Sequence, residues 1–507
     1  MLMLVLSGLD QTILSTALAT IVADVHGADM ATWVFSSYLL CSTVVVPIYG
    51  KLADRLGVRP LLVWCAGVFG LGSLACGLAT TMPLLVAARA LQGVGGGGLM
   101  TLTMLAVAHM YPLAERGKRS GLLGAAYGLS TLVGPLVGAL LLEKLTWHWA
   151  FFINIPGALV ALAVFARATM NTPEPTHHRL DYLGAALLAV ALVAALLSTR
   201  EEAAGVAAGV AIFSPWLLAA IAVVALLLWW HVERRAADPL VPLSLFARPT
   251  FNVVSCVAAL SGVLLFSAVV FVPLALQRGF GMSPTHSAFA TFPLMAGVII
   301  GSQVAGRSMR AEAPLRRLGL IGTGSLLAGY LLLAAAMFFL APQGATVLSI
   351  GVAIALAPVG LGLGLLFPVI TVVSQRAAPP AQMGIGTAVP VMLRALGGAL
   401  GVAWLGNVLH AQVDAVVAAS RLAGQAPDAG LALASAVALV SLLASVVALA
   451  CTVVAWRLPN LSVRAMAMAA QGKGKEKANE RGNEKGTAPP QGVSDSPASE
   501  ALSRRPG

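Results

Sequence analysis

The side chains best placed to do chemistry in this chain are the few charged groups set inside apolar runs. Asp10 stands in Leu9-Asp10-Gln11-Thr12, about nine residues into an apolar stretch that begins at Met1. As a helix rising about 1.5 Å per residue, that stretch carries the carboxyl near the middle of a roughly 30 Å hydrocarbon layer. An ionisable group there is costly to keep, and it persists where it pairs, faces water or carries protons. Arg89, in Arg89-Ala90-Leu91-Gln92-Gly93, and Arg394, in Arg394-Ala395-Leu396-Gly397-Gly398, lie in similar surroundings. Arg89 can snorkel or hold backbone carbonyls. Arg394 reads either as a contact to anionic groups or to a moving part of the molecule, or as a tie to carbonyls.

The elements that must position these groups are membrane helices. The chain has 507 residues, 58% hydrophobic and 10% charged, and a mean hydropathy of +0.88, which excludes a soluble globular domain. Apolar stretches of about 20 residues recur fourteen times, over 2–22, 33–52, 60–80, 83–110, 120–142, 150–169, 181–199, 212–231, 250–276, 286–306, 316–340, 346–372, 383–410 and 431–456. The first lacks a basic leader and a small-residue cleavage site, so it reads as a retained helix. Sixteen Lys and Arg fall in loops on the side of the termini, against Lys144, Arg200, Arg278 and Arg421 opposite, which predicts cytoplasmic termini and an inner-membrane location. That asymmetry accounts for the net charge of +11 without a nucleic-acid partner. The five cysteines sit in apolar stretches with no CxxC pair, so neither metal nor disulfide is expected. From 457 to 507 the chain turns to Gly, Lys, Glu, Ser and Pro, the composition of a disordered cytoplasmic tail.

Several motifs fall at defined places in this frame. Between the second and third stretches the chain reads Gly50-Lys51-Leu52-Ala53-Asp54-Arg55-Leu56-Gly57-Val58-Arg59-Pro60. Its glycines permit close approach and a tight turn, while Asp54 can sit near the positive N-terminus of the third helix and bond neighbouring arginines. At Gly50, Leu52, Asp54, Arg55 and Gly57 this run resembles the loop signature of the major facilitator superfamily. The resemblance implies that the loop latches two halves in an outward-facing state, with Asp54, Arg55 and Arg59 in a gating loop. Arg89-Ala90-Leu91-Gln92-Gly93 is similar to the family's RxxQG element, whose arginine is linked to proton transfer. The GxGxxG that follows lies in a membrane helix rather than after a strand, so its glycines read as a close-packing face, not a dinucleotide site. Gly121, Gly128, Gly134, Pro135 and Gly138 resemble the glycine and proline motif of the family's antiporters, with Ser130 and Ala139 where glycine is usual.

Two further runs narrow the resemblance. Trp147-His148-Trp149-Ala150-Phe151-Phe152-Ile153-Asn154-Ile155-Pro156 is similar to the aromatic outer-boundary signature of the fourteen-helix drug/proton antiporters, with His148 where arginine is usual. Its tryptophans suit an interfacial belt, and His148 reads as a solvated edge residue or a proton relay. Leu9-Asp10-Gln11-Thr12-Ile13 resembles the same subfamily's first-helix signature, in which the aspartate is the candidate protonation and cation-binding site.

The resemblance implies an all-α membrane fold of two six-helix bundles, 1–169 and 250–456, with two extra linking transmembrane helices in 170–249. The implied activity is proton-coupled antiport exporting amphipathic, often cationic, small molecules. Export of an endogenous metabolite or peptide, or symport, is the alternative on the same fold. Asp10 and Arg89 are the expected proton and cation site, with Thr12, Gln92 and Arg394 facing the substrate. No GxxxxGK[ST] marks a nucleotide-driven pump and no HExxH a metalloenzyme, so neither enzyme nor cofactor is expected. The expected partners are substrate, protons and lipid, for a monomer, with any periplasmic adaptor left open.

Overall fold

Why these residues build helices follows from the absence of water in a bilayer core, where backbone N–H and C=O groups must pair within the segment itself. The computed structural model describes residues 1–27, 30–167, 181–198, 214–236, 238–422, 428–460 and 462, and among them there is no strand. The helices are α1 (Leu2–Val25), α2 (Ala31–Leu56), α3 (Val58–Gly77), α4 (Met82–Met110), α5 (Leu113–Lys144), α6 (Trp149–Phe152), α7 (Asn154–Arg167), α8 (Tyr182–Ser198), α9 (Pro215–Glu233), α10 (Pro249–Leu274), α11 (Pro284–Arg310), α12 (Leu315–Phe339), α13 (Ala345–Ala377), α14 (Met383–Leu422) and α15 (Ala429–Ala455). Among the described residues, 11 helical stretches are long and apolar enough to cross a membrane, while Tyr182–Ser198 is apolar but shorter.

Three boundaries differ from the hydropathy reading for physical reasons. α5 starts at Leu113 rather than 120, because Glu115 and Arg119 form an i,i+4 pair at 3.8 Å that suits a helix projecting beyond the apolar layer. α14 continues to Leu422 rather than 410. The stretch expected as one helix over 150–169 is broken at Ile153 into α6 and α7, where Pro156 has no N–H to give the Phe152 carbonyl. The tail from 463 to 507 and the stretch 168–180 lie outside the described residues.

The helix pairings follow a repeating pattern. α1 packs on α5, α2 and α3 on α4, and α3 on α7; likewise α10 packs on α14, α11 and α12 on α13, and α12 on α15. The main pairings between these sets are α5 with α11 and α14 with α2. Small residues make both crossings close. A Cβ added at Gly121 would fall on the Ser302 carbonyl of α11, and one at Gly50 on Ala388 and Ile385 of α14. Gly134 touches Thr12 of α1, and Gly138 is buried. α5 runs helically through Pro135, whose side chain lies outside the described residues.

Candidate functional site

Five helices converge on Asp10. α4 comes near enough because its inner face is bare backbone: a Cβ at Gly93 would strike the Tyr38 backbone of α2, and one at Gly95 the Phe69 backbone of α3. That approach puts Arg89 and Gln92, one turn apart on α4, beside Asp10 of α1. Arg89 donates from Nη1 to Asp10 Oδ2 and to Gln92 Oε1, each at 2.6 Å, and from Nε to the Val34 carbonyl at 3.1 Å. Its guanidinium also lies 4.5 Å from the centre of the Tyr38 ring. Asp10 Oδ1 accepts from Gln92 Nε2 at 2.8 Å and from Asn154 Nδ2, on α7, at 2.9 Å. Ser73 of α3 joins the cluster, accepting from Gln92 Nε2 at 2.7 Å.

The pair is sealed, with both side chains 1% exposed. A charge pair so far from water is kept only where its remaining lone pairs and protons find partners. Here nearly all do. The exception is Asn154 Oδ1, which is buried and without a donor. Gln92, expected on a substrate cavity, is fully buried inside this cluster. Thr12 points its hydroxyl at the Gly8 and Leu9 carbonyls, 3.0 and 3.1 Å away. Arg394 lines a small hollow together with Met104, Phe367, Thr371 and Val391. Its guanidinium lies 5.0 Å from the Phe367 ring centre and reaches Met100 Sδ at 3.6 Å. Asn154 and Ser73 were not singled out as site residues. Both are uncharged, and small polar residues are ordinary in membrane helices, so only Asn154's place inside the aromatic boundary motif hinted at it.

The loop from Gly50 to Arg59 is built differently from the sequence expectation. Asp54 does not sit at the N-terminus of α3. It shares a face of α2 with Gly50, and that face meets α14, so its carboxylate accepts from the Gly384 and Ile385 N–H groups at 2.5 and 3.0 Å. The first N–H groups of a helix have no intrahelical acceptor and favour negative charge, which makes this contact a cap across the molecule. Arg55 and Lys51 both bind Asp238, in the segment between α9 and α10. Burial alone would raise the Asp238 carboxyl, but the hydrogen bonds and charges of Lys51 and Arg55 outweigh it and hold it below the ordinary aspartate value. Arg59 leaves this cluster and binds the Phe165 and Ala166 carbonyls at the end of α7. Gly57, with φ of 81°, makes the turn between α2 and α3.

At the other end of the molecule the aromatic run is divided. Trp149 is exposed as a belt residue would be, whereas Trp147 is buried, stacked on His148 at 3.8 Å and bonded to Asp24 Oδ2 at 2.7 Å.

A bundle that crosses a membrane many times, with its innermost charges paired to each other rather than set around a reaction centre, has the build of a carrier. A family model described as the Major Facilitator Superfamily matches residues 1–402. Multidrug transporter protein MdtP of Bacillus subtilis (strain 168) is 31% identical over 409 residues, covering 80% of this chain and 73% of that protein. Multidrug resistance protein 3 of the same organism is 32% identical over 409 residues, covering 80% of this chain and 77% of its own length. Among solved structures, the proton:xylose symporter XylE bound to 6-bromo-6-deoxy-D-glucose superposes with a TM-score of 0.61 over 92% of this chain and 97% of that one. At 17% identity that likeness is one of fold. The chain belongs to the major facilitator superfamily. It is a multi-pass membrane transporter of small molecules, not an enzyme, and its relatives include multidrug and efflux transporters.

Proposed function

We propose that this protein is a proton-coupled antiporter that exports amphipathic small molecules across the cytoplasmic membrane by alternating access. In this reading it has fourteen spans, with bundles over 1–169 and 250–456, linking helices within 170–249 and cytoplasmic termini. The two-fold repetition of helix pairings supports the two bundles, since paired transporter halves repeat in this way. The names of the relatives support drug-like substrates.

The observation that carries the reading is the sealed Asp10–Arg89 pair. Protonation of Asp10 would leave Arg89 as a buried cation without its carboxylate. Losing one partner of a buried pair costs about 3–5 kcal/mol, enough to drive α1 and α4 apart unless another group replaces it. Protonation and helix movement are then one event. Cation binding follows the same logic, because a cationic substrate and a proton would compete for one carboxylate once the cluster opens. A membrane potential of 100 mV supplies about 2.3 kcal/mol per net charge moved, so one proton exchanged for a neutral substrate sustains a gradient of somewhat under a hundredfold, whereas exchange for a monovalent cation draws on the pH gradient alone.

In the conformation described, the end carrying the Lys51–Arg59 loop is shut by Asp54 on α14, by Gly50 on Ala388 and by the Gln375 side chain bonded to the Met104 carbonyl at 3.4 Å. With cytoplasmic termini, that is an outward-facing arrangement. The test is transport into inverted vesicles with a pH-sensitive dye. A transported compound should collapse a preset proton gradient with the wild type and leave it standing with Asp10→Asn. An equal response from both proteins removes Asp10 from the coupling, and a panel including peptides and metabolites decides the substrate.

A further inference from the structure

Two carboxylates outside the Asp10 cluster meet where the α8–α9 pair joins the rest of the molecule. Asp181 precedes α8 and Glu233 ends α9. Gly184, on the first turn of α8, lies against both: a Cβ there would fall on Asp181 Oδ2 and Glu233 Oε2. The two oxygens therefore border the same methyl-sized space, no more than about 5 Å apart. Each carboxylate has its other oxygen occupied, Asp181 Oδ1 by the Gly184 N–H at 2.7 Å and Glu233 Oε1 by the Val241 N–H. Oδ2 and Oε2 are buried and accept from no donor among the described residues, and Glu233 is only 3% exposed.

Among the described residues, the surroundings offer the pair little counter-charge. From α2 the pair faces Lys51, whose ammonium is already bound by Asp238 together with Arg55. The residues of α14 packed here, among them Ile385, Ala388 and Val389, are apolar. On α9 itself, the Arg234 guanidinium lies over the Trp230 ring, and the Trp229 indole N–H, one turn before Glu233, reaches neither oxygen. Two carboxylate oxygens this close, shielded from water and without donors, cannot both carry full charge. A single proton between them gives one a hydrogen to donate and the other a bond to accept.

We propose that Asp181 and Glu233 form a second proton-binding site, holding one proton between Oδ2 and Oε2 on the side of the Lys51–Arg59 loop. It is separate from Asp10 and does not depend on the antiport reading. Its chemistry links it to the closed end. When the proton leaves, the pair becomes a dianion beside Lys51 and competes with Asp238 for the ammonium, so a rise in pH on that side loosens the clasp between α2 and the 238–248 segment.

Infrared difference spectroscopy on the full chain in lipid nanodiscs tests this directly. The wild type should show a protonated-carboxyl band that disappears in one step as pH rises. The band should be absent from Glu233→Gln and from Asp181→Asn and present in Asp10→Asn. Glu233→Gln keeps an oxygen for the Val241 N–H; should a variant fail to fold, carbon-13 labelling of glutamate and then aspartate in the wild type should shift the band in both cases. Spin labels at the exposed positions Leu56 and Ala247 should move apart over the same pH step in the wild type and not in Glu233→Gln. A band that is missing from the wild type, that survives both substitutions, or that sodium or potassium ions abolish at fixed pH overturns the proton site. Labels that stay at one distance overturn its link to the clasp.

Discussion

Asn154 controls how the Asp10 carboxylate is shared. Asp10 Oδ1 takes two donors, from Gln92 and Asn154, while Oδ2 takes the Arg89 guanidinium. The Asn154 amide is the member of this set whose other end is unsatisfied. It therefore has an acceptor ready for a hydrogen on Asp10, provided the amide turns over. Asn154→Leu removes both the donor and that acceptor without changing any charge. Transport should fall by roughly tenfold, the order expected when a buried hydrogen bond to a charged group is lost, and its pH optimum should shift. The measurement is substrate-driven proton flux across a pH series. An unchanged profile would reduce Asn154 to packing. Asp10 and Arg89 were legible in the sequence because a charge in an apolar run has few explanations. Ser73 and Asn154 were not, because an uncharged polar side chain there has many.

Helices explain why the site exists where it does. α4 delivers Arg89 and Gln92 to α1 only because Gly93 and Gly95 let it lie against α2 and α3. A Val at Gly93 would collide with the Tyr38 backbone, which cannot move aside as a flexible side chain would. Gly93→Val is expected to lower the thermal midpoint by several degrees or to prevent folding, as overpacking in a dense interior does. Gly50→Val acts at a different level, because the contact it breaks is between α2 and α14 rather than inside one group of helices. It should fold and favour separation of the closed end, seen as faster thiol labelling of a cysteine placed at the buried Ala378. Labelling at the wild-type rate would show that α14 yields to the added side chain. The glycine runs were readable as close-packing faces, but which neighbour each one meets was not. Spacing reports that a helix has a small face and does not name its partner.

For the molecule as a whole, the clasp at the loop end joins three separated stretches of chain. Asp54 caps α14, and Lys51 and Arg55 hold Asp238. The sequence showed the loop and its charges, yet it misplaced Asp54, because the acceptor it satisfies is a pair of backbone N–H groups that leave no mark in the residue types. It gave no sign of Asp238. The folded Asp238 carboxyl lies below its unfolded value, so its stabilising effect is fully present above the unfolded aspartate range and is lost as pH falls through the depressed folded value. The thermal midpoint of Asp238→Asn should thus sit below that of the wild type near neutral pH, and the margin should close as pH falls into the acid range. A margin that persists unchanged into strong acid would assign the clasp's strength to another group.

The bare inner face of α4 has one more consequence. Because α2, α3 and α4 touch through main chain, there is little side-chain chemistry along that seam for natural variation to alter. Cells selected to transport a new compound would leave the seam as it stands. Their substitutions would gather around the hollow at Arg394 and Phe367, so the history of what this transporter has met would be written on one wall of its interior and nearly absent from the other.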